Sequence, residues 1–431
     1  MSTFDIIKAR IQPLKETLSA YPDLWDIFER CYLNTIETTV KETEDDTFVI
    51  TGDIPAMWLR DSTAQVLHYL RFADDKQVAK MIEGLIARQA ECILRDPYAN
   101  AFNREENSFK PYDDFPRASD WVWERKYEID SLCYPLWLAE KYLNKTGSKV
   151  FLTPRFHEAL KTIISVFETE QNHENSPYLF IRSNCPPSDT LSHEGKGAPV
   201  KVTGMTWCGF RPSDDACVLG YLVPSNLFAV RAMKSAKILA ALFDDQESIE
   251  KAARLEKEIQ DGVNAYGKVN HAEFGEIYAY ETDGFGNYTM MDDANVPSLL
   301  SLPYLEVCEK DDPTYLATRA FVLSKHNPFY YEGAFAKGVG SPHTPAGYIW
   351  PIALCVQAMT ATDINEIAYL LKTVLSTHGG TGFMHESFDP NKPEDFTRTW
   401  FAWANSMLAE TIMRLYEEGK LEKILEMAKG M

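Results

Sequence analysis

The stretch Asp74-Asp75-Lys76-Gln77-Val78-Ala79-Lys80-Met81-Ile82-Glu83-Gly84-Leu85-Ile86-Ala87-Arg88-Gln89-Ala90-Glu91-Cys92-Ile93-Leu94-Arg95 sets the class of the fold. Val78, Met81, Ile82, Leu85, Ile86, Ala90 and Ile93 recur at steps of three and four, so a helix here carries one apolar stripe. The same period continues on both sides. Phe4 to Leu18, Pro22 to about Lys41, Asp61 to Phe72 and Glu128 to Lys145 read as helices. Thr153-Pro154 is a cap with Pro at the first helical position, and Phe156, Ala159, Leu160, Ile163, Ile164 and Phe167 form the next stripe. Further helices are predicted at about 225–244, 246–266, 294–306, 312–324, 345–360, 363–377, 399–418 and 420–430. Asp363 with Glu366 three residues on resembles a capping box. Thr47 to Thr51 is the clearest strand, and almost no other strand pattern is visible.

The helices come as pairs joined by short turns, with a long loop after each pair. No linker or compositional break divides the chain, and no solenoid repeat recurs. The expectation is therefore all-α: one domain over residues 1–431, built as an α/α toroid of six hairpins with the long loops gathered at one end.

A formal charge of −20, from 43 Lys+Arg against 63 Asp+Glu, argues against nucleic acid or an anionic membrane as partner. No run reaches the ~18 apolar residues of a membrane span. Met1 to Arg10 carries charges where a signal peptide needs an apolar run. The eight cysteines have no CxxC pair and read as reduced thiols, so a cytoplasmic location is expected. No metal or cofactor is expected, and the oligomeric state is not legible.

Long ordered loops in a compact domain are uncommon without a function. Here they concentrate carboxylates, arginines and aromatics. Gly52 to Ser62 contains Trp58, Arg60 and Asp61; a guanidinium donates in a fixed fork and a carboxylate accepts, which suits sugar hydroxyls. A surface ion pair with a helix cap suits the same residues. Trp121 and Trp123, beside Glu124 and Arg125, fit either a stacking wall for a sugar ring or a core anchor. Thr203 to Ala216 holds Arg211 and the adjacent Asp214 and Asp215; two neighbouring carboxylates repel, so one is expected to keep its proton, as a general acid requires. A helix cap is the plainer reading of that pair.

Asp283 to Asn287 is a turn without the ligand spacing of a calcium loop, and Asp292-Asp293 follows it. Gly338 to Pro345 contains His343 but neither a phosphate-loop Lys nor GxGxxG. Gly379 to Phe388 contains His385 and Glu386; Asp389 stands where HExxH needs its second His, so the zincin pattern is absent, and Glu386 fits either a base or a plain loop carboxylate, with His385 as a candidate donor to a ligand. Carboxylates with aromatics, and no metal, nucleotide or nucleophilic-triad pattern, is the composition of a glycosidase cleft.

The runs Gly52 to Ser62, Trp123 to Ser131, Gly209 to Ala216, Met291 to Ser298, Gly340 to Pro345 and Met384 to Phe388 together resemble glycoside hydrolase family 125, the exo-acting α-1,6-mannosidases, in order over residues ~50 to ~410. The resemblance implies an (α/α)6 barrel and an inverting, metal-independent mechanism acting on α-mannoside oligosaccharides. It puts the general acid at the Asp214–Asp215 pair, with Asp214 preferred, and the general base at Glu386. It also implies a sugar pocket lined by Arg60, Asp61, Arg211, Asp292, Asp293, His343 and His385, with Trp58 and Trp123 as candidate stacking rings. Three other readings stay open. A calcium-dependent α-mannosidase would use Asp292-Asp293, and a sugar epimerase would want paired histidines where nine are dispersed. A non-catalytic glycan-binding protein would not need the Asp pair and Glu386 together.

Overall fold

Helix α4 (Lys76–Arg95) buries every residue of its predicted stripe, and the Asp75 carboxylate caps it by accepting from Gln77 N at 2.8 Å. The computed structural model containing it describes residues 1–430. The other helices are α1 (Thr3–Thr17), α2 (Pro22–Asn34), α3 (Leu59–Val66), α5 (Ile129–Thr146), α6 (Pro154–Glu170), a single turn α7 (Ser192–Gly195), α8 (Val223–Ala241), α9 (Gln246–Tyr266), α10 (Pro313–Val322), α11 (Pro351–Thr360), α12 (Ile364–Ser376), α13 (Ala402–Glu417) and α14 (Leu421–Gly430). A π-helical turn (Thr35–Thr39) prolongs α2, and a 3₁₀ stretch (Leu67–Phe72) prolongs α3.

Helices α3, α5, α8, α11 and α13 form an inner ring: α3 packs on α5, α5 on α8, α11 on α13, and α13 back on α3. The sixth inner position, between α8 and α11, is filled by the turns of 298–307. Tyr134 on α5 donates to the Val296 carbonyl at 3.1 Å, and Tyr304 packs its ring on Trp137 and donates to Glu410 on α13 at 3.3 Å. Helices α2, α4, α6, α9, α10 and α12 each precede one inner element and lie outside it, which makes an (α/α)6 barrel. One hydrophobic cluster runs through it, from Ile7 to Leu425.

The alternation places the loops. Each inner element returns to the next outer helix through a short turn, as at 73–75, 242–245 and 361–363. Each outer helix reaches the next inner element through a long loop: 35–58, 96–128, 171–222, 267–297, 323–350 and 377–401. All six long loops therefore end at the N-termini of inner elements, at one mouth of the barrel.

Several expectations need correction. Residues 294–306 form consecutive turns instead of a helix, because Pro303 lacks the N–H that a helix interior needs and the Asp292 carboxylate takes the Leu299 and Leu300 N–H groups at 2.8 and 3.0 Å. The helix predicted from 345 begins at Pro351, since Gly347 adopts a φ of +93°. Asp363 caps α12 through Asn365 N at 2.9 Å, but Glu366 turns away to Arg319 and Gln357, so no capping box forms. Among the described residues, sixteen short strands occur, in seven sheets of two or three strands confined to the loops. Strands of two or three residues are too short to show alternation in the sequence.

Candidate active site

The mouth of the barrel holds a pocket with about 380 Å³ of empty space. Trp58, Glu128, Trp350 and Phe401 are the N-cap residues of α3, α5, α11 and α13, and none caps its helix with a side chain. Several helix N-termini, each the positive end of a dipole, thus converge where the carboxylates gather. Trp350 and Trp403 supply buried aromatic walls, and Asp61, Asn295 and Glu386 supply polar ones. The pocket opens into a wider cleft of about 1140 Å³, lined by Tyr112, Lys126, Arg182 and Asp189 among others. Trp58, Asp214, His343, Glu386 and Arg398 line both.

Arg60, on the first turn of α3, organises the inner wall. Its guanidinium contacts Glu128 at 2.6 Å, Asp130 at 3.1 Å, Asp61 at 3.4 Å and Asp214 at 3.6 Å. Burial pushes the Asp61 carboxyl up, lifts Asp130 to about 6, and holds Glu128 well above the usual carboxylate range. Burial also pushes Asp214 up, but the Arg60 charge and a hydrogen bond from Glu128 outweigh it and hold Asp214 at about 2.

Asp214 sits at φ +66°, in the left-handed region that non-glycine residues seldom occupy. This conformation sends the two neighbouring carboxylates apart. Asp214 Oδ1 accepts from Trp58 Nε1 at 3.3 Å and Asn100 Nδ2 at 3.1 Å, and its carbonyl accepts from Lys126 Nζ at 2.7 Å. Asp215 instead pairs with His343 Nδ1 at 3.0 Å. Burial pushes His343 down, but its hydrogen bond to Asp215 and the charge there win and lift it to about 9. The expected repulsion between Asp214 and Asp215 is thus not what sets the proton. The carboxyl that shares both Arg60 and the Asn100 side-chain amide with Asp214 is Glu128.

Glu386 faces the pocket from the loop before Ala402. Arg398 Nη1 stands 3.6 Å from its Oε1 and is anchored on the other side by Asp53. His343 lies in the loop that starts at Gly340. A Cβ on Gly340 would meet the Tyr348 carbonyl oxygen at 2.1 Å, so only glycine lets these strands approach.

Of the expected pocket residues, Trp58, Arg60, Asp61, Asp214, His343 and Glu386 are brought together, and Asp215 lines the cleft only. Five lie elsewhere. Arg211 is turned to Glu281 at 2.6 Å. Asp292 is fully buried with both oxygens on backbone N–H groups, and Asp293 holds Asn295 through Oδ1. His385 stacks on Phe396 at 3.6 Å and meets the Arg398 carbonyl at 3.1 Å; burial lowers its pKa, so it supports the loop as a neutral ring. Trp123 packs on the small Ala56–Trp58–Ala101 cluster, behind the cleft wall. Arg398, Trp350 and Trp403 also build the wall and Asn100 supports it, and none of the four stands among the residues expected from the sequence. The aromatic run after Thr399 was the available signal for Trp403; nothing local marks Asn100.

A family model described as metal-independent alpha-mannosidase (GH125) matches residues 21–413. The Meiotically up-regulated gene 157 protein of Schizosaccharomyces pombe is 39% identical over 436 residues, covering 95% of this chain and 86% of that one. A Streptococcus pneumoniae structure, described as a metal-independent alpha mannosidase in a non-productive substrate complex with α-1,6-mannobiose, aligns with a TM-score of 0.94 at 46% identity. It covers 96% of this chain and 98% of that one. A bacterial glucoamylase bound to acarbose aligns with a TM-score of 0.57 at 12% identity, covering 93% of this chain and 57% of that one, a likeness of fold alone.

Proposed function

The chain belongs to glycoside hydrolase family 125, the metal-independent α-mannosidases, and on that premise we propose that it is an exo-acting α-1,6-mannosidase that inverts the anomeric carbon. The observation that carries this reading is the nesting of the two cavities. Asp214 and Glu386 line both the small pocket and the wide cleft, so they stand on the boundary between them. A terminal mannose fills the pocket, the remaining sugars lie in the cleft, and the bond at the boundary is cut. Asp214 protonates the leaving oxygen, while Glu386 takes a proton from the attacking water. The (α/α)6 relative holding α-1,6-mannobiose supports the linkage. The charged His343, fixed on Asp215, suits a hydrogen bond to a sugar in the cleft.

All eight cysteines are free, which supports a reducing, cytoplasmic setting for this activity; recovery of the native protein from a secreted fraction would contradict that part. The exo reading is tested with a reducing-end-labelled α-1,6-mannotriose. Mannose and labelled mannobiose are the expected first products. Release of unlabelled mannobiose would overturn the reading.

A further inference from the structure

Asp61, Glu128, Asp130 and Asp214 all approach the Arg60 guanidinium within 3.6 Å, and the first three are almost wholly buried. The other cations nearby are committed elsewhere. Lys126 gives its hydrogen bonds to Asp189 and the Asp214 carbonyl and sits by Glu124, Arg398 is held by Asp53 and Glu386, and His343 by Asp215. One guanidinium does not neutralise four carboxylates in a water-poor site, so part of the cluster must be protonated. Asp214 is arranged as an anion, with Trp58 and Asn100 N–H groups and Arg60 all on Oδ1. A general acid in that state has no proton to give. Glu128 reaches the same Arg60 at 2.6 Å and the same Asn100 Nδ2 at 3.4 Å, with no exposure of its side chain.

We infer that Glu128 is a positioning residue that acts through Asp214, storing in its carboxyl the proton that Asp214 delivers to the leaving oxygen. This rests on Asp214 being the general acid. The transfer balances. Glu128 passes its proton to the Asp214 carboxylate, and Asp214 passes one to the glycosidic oxygen as the C1–O bond breaks. Glu386 takes one from the water that forms the new C1–O bond, and solvent later reprotonates Glu128 as Glu386 loses its proton. Burial, with the Asp214 and Asp130 charges beside it, holds the Glu128 carboxyl well above the usual carboxylate range. Asp130 is also raised, and it touches Arg60 through Oδ2 at 3.1 Å.

The test compares kcat/KM for α-1,6-mannobiose, whose alkoxide needs a proton, with 2,4-dinitrophenyl α-mannoside, whose phenolate does not. For D214N the aryl-to-mannobiose ratio is expected to rise by about 100-fold or more, the usual share of general acid catalysis. For E128Q it is expected to rise at least tenfold, and for E128D, which keeps a carboxyl, to stay within about threefold of wild type. An unchanged ratio in D214N would remove Asp214 as the acid. A rise in D214N with less than a tenfold rise in E128Q would overturn the Glu128 inference alone. If the Glu128 variants do not fold, wild-type protein labelled at the glutamate carboxyl carbons decides. Burial raises the Glu128 carboxyl above its usual range, so a protonated glutamate carboxyl signal is expected at pH 7, and its absence would overturn the inference.

Discussion

Replacing Arg60 with Leu removes the guanidinium that contacts the four carboxylates of the inner wall, at 2.6, 3.1, 3.4 and 3.6 Å. It also removes the cation that lies 5.8 Å from the Trp403 ring centroid. Taking one partner from a buried ion pair costs about 3–5 kcal/mol, because the charges left behind are uncompensated. Protonation limits the loss, since neutralising a carboxylate three pH units above its pKa costs about 4 kcal/mol. For 431 residues the unfolding entropy is roughly 0.9 kcal/mol/K, so Tm is expected to fall by about 3–6 °C. The loss should also depend on pH. Without Arg60 the folded-state carboxyl pKa values rise further above the unfolded value of about 4, a penalty fully felt at high pH and absent below that value. Paired thermal melts of wild type and R60L at pH 8 and pH 5 read this directly, with the smaller deficit expected at pH 5. A deficit under about 1 kcal/mol, or one equal at both pH values, would refute the argument that Arg60 holds a buried anionic cluster.

Three further outcomes are expected. His343 is raised to about 9 from its usual 6.5 by its contact with Asp215, so the pair stabilises fully below pH 6.5 and fades as pH rises through 9; the Tm gap between wild type and H343Q should be widest near pH 6 and close by pH 10, and a gap that widens with pH would contradict the assignment. Asp215 lines the cleft but not the pocket, so D215N is expected to raise KM for mannobiose more than it lowers kcat, whereas D214N lowers kcat by about 100-fold or more; a reversed pattern would exchange their roles. Gly52 has a φ of +140° and a Cβ there would sit 2.6 Å from the Trp400 carbonyl oxygen, so G52A is expected to cost about 1–3 kcal/mol and displace the loop carrying Arg398 and Phe401; urea unfolding at unchanged stability would show that this contact is dispensable.

Much of the scaffold is legible in the sequence because helices repeat their burial locally. The stripe of α4 and the Thr153 cap, which accepts from Phe156 N at 3.1 Å, both follow from residues a few positions apart. The alternation of short turns and long loops also predicts where the mouth of the barrel lies. Residues 294–306 mislead because their apolar spacing is helical, while Pro303 and the Asp292 side chain redirect the backbone. The site is harder to read. Asn100 meets Asp214, and Arg60 meets Glu128, only through the closed ring of inner helices. Charge patterning along the chain therefore pointed to Asp215 as the neighbour that perturbs Asp214, where the left-handed turn at Asp214 brings in Glu128 instead. Asp292 and Asp293 read as ligand-binding carboxylates, but their partners are backbone N–H groups nearby and the Asn295 side chain.

The central claim is that Asp214 and Glu386 act across one sugar ring, as an acid and a base with a water between base and anomeric carbon. Proton NMR of α-1,6-mannobiose during early turnover tests it most directly. β-Mannose is the first product expected, relaxing later to the anomeric equilibrium by mutarotation. First-formed α-mannose would contradict the account, because it would require a covalent or double-displacement route through one of these carboxylates.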